Sequence, residues 1–196
     1  MSELTTFPSR REPISMDCEF LGAGLRIEAR SGGSIALLTA RKNQGAEFNR
    51  HARETFGVDL PAIQYSATTE SLTVLCLAPS RYLVFRDAAS PSWSWSLASS
   101  FSDCATVVDQ SGAFAVLRLI GPRARRLLQA GVFLDFHPAA FPVGRVAATL
   151  FSHFNVIVWR LEGDAAFELA VPRSFAGDFY RVLREQAFSN DGDPST

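Results

Sequence analysis

The chain has 196 residues, 47% hydrophobic and 20% charged, with a formal net charge of -1. That length suits one domain or two small fused ones, and 11% aromatic side chains are more apolar mass than a disordered chain leaves in water. Near-neutral charge provides no field for holding a polyanion, so DNA and RNA are not expected as partners.

Residues 1–20 are polar and mixed, and residues 189–196 (SNDGDPST) lack apolar side chains, so both read as arms flanking a body over 21–188. Near the N-terminus, MSELTTFPSRREPIS has no apolar run long enough for a signal-peptide core, and no entry into a membrane is expected. Gly22, Gly24, Gly32 and Gly33 punctuate the start of the body as turns, and Ser34–Ala40 (SIALLTA) reads as a buried strand. From Asn43, a good N-cap, Phe48, Ala52, Thr55 and Phe56 recur at helical spacing up to a closing Gly57. The runs 72–77 (LTVLCL) and Arg81–Arg86 read as strands joined by a tight turn, 91–101 as a short helix, and 106–108 as a further strand.

The second half repeats this order. Phe114–Ile120 is a strand, Pro122 opens a helix with Ala124, Leu127 and Leu128 on one face, and Gly131 closes it. Strands follow over Val146–Phe151, 156–161 and 167–171, where Phe167, Leu169 and Val171 alternate with Glu168 and Ala170. Ser174 reads as the cap of a last helix carrying Phe175, Phe179, Val182 and Leu183. The expected class is α+β: two ferredoxin-like halves, about 21–110 and 111–188, with antiparallel sheets and helices on one face.

Residues with chemical potential are few. No G-x-G-x-x-G or G-x-x-x-x-G-K-[ST] is present, so the glycines are turn glycines and no nucleotide cofactor is expected on this chain. His51, His137 and His153 are too far apart in sequence for a metal motif, and Asp135 before His137 is either an orienting dyad or a turn, with the turn favoured. Cys18, Cys76 and Cys104 form no Cys-x-x-Cys pair, which excludes a disulfide framework or zinc knuckle and suits a reducing cytoplasm. Asp109-Gln-Ser-Gly112 reads first as a turn and second as a ligand-contacting loop. Trp93 and Trp95, two apart, diverge on a helix and share a face on a strand, so core and partner interface stand level.

The stretch Asp109 to Gly131, then 134–138 (LDFHP), 141–144 (FPVG) and 167–175 (FELAVPRSF), resembles the gamma subunits of heterotetrameric sarcosine oxidases, in order and spacing over roughly 34–187. Those subunits are related to the folate-binding domain of the glycine-cleavage T-protein, with its paired ferredoxin-like halves. The resemblance implies a non-catalytic structural subunit beside alpha, beta and delta partners. In that assembly FAD, FMN, NAD, tetrahydrofolate and zinc belong to other subunits and none to this chain. The assembly would demethylate sarcosine to glycine, pass the one-carbon unit to tetrahydrofolate and release hydrogen peroxide. Where T-proteins carry Asp-Asp before a Leu-Ile-Val strand, this sequence has Phe154-Asn155-Val156-Ile157-Val158, and an amide lacks the carboxylate's charge. The alternative is a stand-alone folate-binding aminomethyltransferase-like protein, its pocket drawn from Asp109, Asn155 and Arg160.

Overall fold

The computed structural model describes residues 19–20, 24–30, 32–163 and 165–189. Cys18, Gly22, most of the expected N-terminal arm and all of the tail after Ser189 lie outside them. The elements are β1 (Glu19–Phe20), β2 (Arg26–Arg30), β3 (Ser34–Ala40), α1 (Gly45–Phe56), β4 (Ser66–Thr68), β5 (Leu72–Ala78), β6 (Arg81–Arg86), α2 (Trp93–Ser100) and β7 (Ala105–Asp109). The second run is β8 (Phe114–Ile120), α3 (Pro122–Gly131), β9 (Val146–Phe151), β10 (Phe154–Arg160), β11 (Ala166–Pro172), a single 3-10 turn and α4 (Ala176–Ser189).

Two sheets form, both wholly antiparallel, in the orders β4-β5-β6-β3-β7 and β9-β10-β11-β8-β2-β1. The architecture is α+β, as expected. In the first sheet β3, β5, β6 and β7 are the four strands of a split βαβ unit, with β4 added at the edge. The second sheet repeats the plan with β8, β10 and β11 and with β9 at the edge. Its fourth strand is β2, from the beginning of the described chain, so strand pairing crosses between the halves expected to divide near residue 110.

The layering explains why so many strands read as continuous apolar runs. Alternate residues Ala36, Leu38, Val74 and Val84 pack under α1 and α2 with Phe48, Phe56, Leu97 and Phe101. Leu117, Leu119, Val158, Phe167 and Leu169 pack under α3 and α4 with Leu127, Phe136, Phe179 and Leu183. The opposite faces of the two sheets meet through Ile35, Leu75, Leu83, Phe85, Val116, Val146, Trp159 and Ala170. The order is helices, sheet, sheet, helices, with three apolar layers between, and Trp159 fills the middle layer with no exposure, its ring tilted against Phe85 at 5.1 Å.

Local signals explain the element ends and two displaced caps. Gly57 takes the left-handed conformation (φ 70) and its N–H caps the Arg53 carbonyl of α1. The helix begins after Gln44 rather than Asn43, because Asn43 occupies the turn with φ 65. Pro122 opens α3 behind Gly121, whose φ of 119 and close approach to the Gly24 carbonyl exclude any side chain. Ser174 sits inside the 3-10 turn Arg173–Phe175 and does not cap α4.

Candidate functional site

A charged row runs across the inner face of the second sheet. Glu28, Arg118, Glu168, Trp159 and Val146 stand directly opposite one another on successive strands. Glu168 is 1% exposed. Arg118 donates to its Oε1 from Nε at 3.0 Å and from Nη2 at 2.7 Å, and Arg30 donates to Oε2 from Nη1 at 3.2 Å. Arg30 also binds Asp87, which follows β6 of the other sheet, so one guanidinium ties the two sheets together. A buried carboxylate needs this degree of pairing to stay folded. Beside it, between the sheets, lies a cavity of about 180 Å³ lined by Arg30, Ser34, Arg86, Ser111, Phe114 and Arg173 among others. Its hydroxyls serve the backbone: Ser34 Oγ accepts from Ser90 N and Ser111 Oγ from Ile35 N, each at 2.9 Å.

The three residues drawn from the sequence as a folate pocket are not brought together. Asp109 ends β7 and its Oδ1 accepts from the Ser111 N–H at 2.8 Å and hydroxyl at 2.6 Å, an Asx turn. Asn155 and Arg160 occupy opposite ends of β10, roughly 16 Å apart at strand rise. An odd separation puts them on opposite faces. Arg160 Nη1 donates to the Phe141 carbonyl at 2.9 Å. Asn155 is exposed and lies where two open depressions meet, one of about 580 Å³ along β9 and β10 and one of about 430 Å³ beside α4 that also holds His153, Asp178 and Arg181. Arg181 and Asp178 pair with each other at 3.2 Å. This arrangement does not fit folate through the three residues drawn together from the sequence.

The remaining candidates resolve as structure. Asp135 Oδ1 accepts from the His137 backbone N–H at 2.7 Å and His137 Nδ1 from Ala139 N at 3.3 Å, so the pair is a turn and not a dyad. His51 sets its ring edge on Phe101, and His153 lies against Phe154. Cys76 and Cys104 are buried, and burial pushes both thiols up. Tyr82, opposite Cys76, is pushed up to about 12 by burial. Among the described residues no group of three or more His, Cys, Asp or Glu is placed to hold a metal ion, and no helix is long and apolar enough to cross a membrane. Trp93 packs into the first-half core with Arg86 6.0 Å over its ring, while Trp95 points outward and is 78% exposed.

The surface feature that sequence reasoning missed is apolar. Of nine exposed large hydrophobic residues among those described, Phe133, after α3, and Leu150, in β9, line one depression, while Ile63, Tyr65 and Val143 lie around the Tyr65–Arg145 bridge at the other end of β9. Scattered exposed apolar residues need no explanation, but two that wall one depression offer a place for a contact. The signal for the charged row was legible in part, since Arg118 in FAVLRLI and Glu168 in AFELAVP are single opposite charges in otherwise apolar strands.

Comparison with known proteins agrees with this fold. A sarcosine oxidase subunit gamma from Arthrobacter sp. is 28% identical over 171 residues, covering 85% of this chain and 83% of the relative. The solved heterotetrameric sarcosine oxidase from Corynebacterium sp. U-96, in complex with pyrrole 2-carboxylate, contains a chain that superposes with a TM-score of 0.77 at 22% identity, covering 88% of each. The glycine cleavage system aminomethyltransferase T from Bartonella henselae superposes with a TM-score of 0.63 at 16% identity, over 82% of this chain and 45% of that one. The chain is thus similar in sequence to sarcosine oxidase gamma subunits and in fold to the T-protein. Residues 64–194 match the GCVT N-terminal domain model, more than half of the sequence, and the chain belongs to that family.

Proposed function

We propose that this chain is the gamma subunit of a heterotetrameric oxidase that demethylates sarcosine to glycine, passes the one-carbon unit to tetrahydrofolate and releases hydrogen peroxide. Its role is structural. The observation that carries the reading is similarity to a protein named as a gamma subunit over nearly the full length of both chains. The charged row and middle apolar layer support it, because they serve to hold two sheets rigidly together. The apolar depression along β9 and β10, walled by Phe133 and Leu150, supplies a surface for a permanent partner.

On this reading the partners are alpha, beta and delta subunits in the cytoplasm. FAD, FMN, NAD, tetrahydrofolate and zinc reside on those subunits and none on this chain. The test is co-expression with the three subunits of the same source: one stable complex containing this chain supports the proposal, and three subunits that assemble and turn over sarcosine equally well without it count against it.

A second reading, a stand-alone folate-binding aminomethyltransferase-like protein, draws on the family match and on the open depressions that meet at Asn155. Calorimetric titration of the isolated chain with tetrahydrofolate separates the two. Micromolar binding favours the second reading, and no heat of binding removes it.

A further inference from the structure

Strand β9 is the outer edge of the second sheet and is paired on one side with β10. A two-residue turn at Ser152 and His153 closes the hairpin between Phe151 and Phe154, and this sets which residues of β9 hydrogen-bond inward. Phe151, Thr149 and Ala147 face β10 with their N–H and C=O groups, whereas Val146, Ala148 and Leu150 direct theirs outward. The outward lane has a native occupant at its start. Gln64–Ser66 runs antiparallel to 144–146, with Val146 N donating to Gln64 O at 2.8 Å and Ser66 N to Gly144 O at 2.7 Å around the Tyr65–Arg145 bridge. Tyr65 N then bonds to Ala62 O, so the segment turns away. Among the described residues no backbone partner meets the outward groups of Ala148 and Leu150, both exposed, before Ser152 N closes the lane on the Gly131 carbonyl at 2.7 Å.

Edge strands in soluble proteins are protected by charges, proline, bulges or a covering element. The β9 sequence, VAATLF, has no charge and no proline. Ala148 and Leu150 of β9 lie in the 580 Å³ depression with Phe114, Phe133, Asn155 and Ile157, all from the same half of the chain. Unpaired amide and carbonyl groups at every second residue specify an extended backbone, and the apolar wall specifies what its side chains carry. The existing Gln64–Ser66 ladder sets the lane that such a strand would prolong.

We infer that β9 is completed by an extended, uncharged strand of another oxidase subunit, which continues the Gln64–Ser66 lane across Ala148 and Leu150 and covers Phe133 and Leu150. This inference rests on the reading of the chain as a subunit of a larger assembly. It assigns the contact to a backbone ladder rather than to the outward Trp95.

The test measures amide hydrogen exchange at Ala148 and Leu150 in the isolated chain and in the complex assembled with alpha, beta and delta subunits. Exchange at both amides slows by about a hundredfold or more on assembly if a strand pairs there. A companion variant, Ala148→Pro, deletes an outward N–H while leaving the β10 ladder intact, which edge strands tolerate. It keeps the urea midpoint of the isolated chain and weakens assembly by about tenfold or more. Should Ala148→Pro unfold the chain, Leu150→Lys tests the same lane by placing a charge in it.

Assembly with both amides exchanging as fast as in the free chain overturns the inference and leaves the subunit reading standing. Failure to assemble at all removes both. Protection that arises from dimerisation of the isolated chain, lost in Ala148→Pro, assigns the lane to a second copy and overturns the proposed occupant.

Discussion

Replacing Glu168 by leucine removes the carboxylate on which the charged row converges. In the wild type Glu168 is 1% exposed and accepts three bonds from two arginines. Stripping one partner from a buried ionic cluster costs about 3–5 kcal/mol in general. Here the arginines left behind can partly recover: the Arg118 side chain is 39% exposed and Arg30 keeps Asp87. Glu168→Leu is therefore expected to fall at or below the bottom of that range, about 2–3 kcal/mol. Arg118→Met is expected to cost more, about 3–4 kcal/mol, since it leaves a fully buried carboxylate with Arg30 alone. The double variant removes both charges and is expected to fall short of the summed losses by about 2–3 kcal/mol. Equilibrium urea unfolding of the four proteins, with unchanged dependence on denaturant, reads all three values. Losses that add to within about 0.5 kcal/mol would refute the coupling derived from the geometry.

Gly121→Ala places a methyl group onto the Gly24 carbonyl oxygen at a φ of 119, and a loss of at least about 2 kcal/mol in the same assay is expected. Trp93→Ser opens the first-half core and costs about 2–3 kcal/mol, whereas Trp95→Ser on the same helix stays within about 0.5 kcal/mol because that ring is 78% exposed. The folded chain holds the Tyr82 proton up to about pH 12 while the unfolded chain releases it near pH 10. Its contribution is therefore present below pH 10 and lost as pH rises from 10 to 12. Tyr82→Phe flattens that loss in urea midpoints, and tyrosinate absorbance of the wild type shows one tyrosine ionising last.

The order of strands and helices was legible because two periods do most of the encoding. Apolar residues every third or fourth position mark α1 and α3, and compact apolar runs mark β3, β5, β6 and β8. Strand β2 was not read. Its sequence RIEAR alternates, but the charged positions Arg26, Glu28 and Arg30 turn toward the other sheet and Ile27 toward the helices, the reverse of a solvent-facing strand. Glu168 shows the same limit. Alternation with Phe167 and Leu169 records which face the residue occupies, and says nothing of what covers that face until Arg118 and Arg30 are brought across from other strands.

The site residues were less legible than the fold. Asp109, Asn155 and Arg160 were joined through kinship, yet five positions along one strand invert the side of the sheet. Trp93 and Trp95 followed the helical alternative, one ring packed and one outward. The β9 edge was hidden for a different reason: an unprotected strand edge depends on what lies beside it, and Gln64–Ser66 stops one residue into the lane. No local pattern in VAATLF reports that neighbour.

The claim that this polypeptide works as a structural member of an oxidase is tested most directly by measuring sarcosine-dependent peroxide release by the alpha, beta and delta subunits with and without it, alongside the native mass of the product. The account expects one four-part complex, full turnover only when this chain is present, and no turnover by this chain alone. Peroxide formation by the purified chain, or a fully active complex that excludes it, would contradict the account.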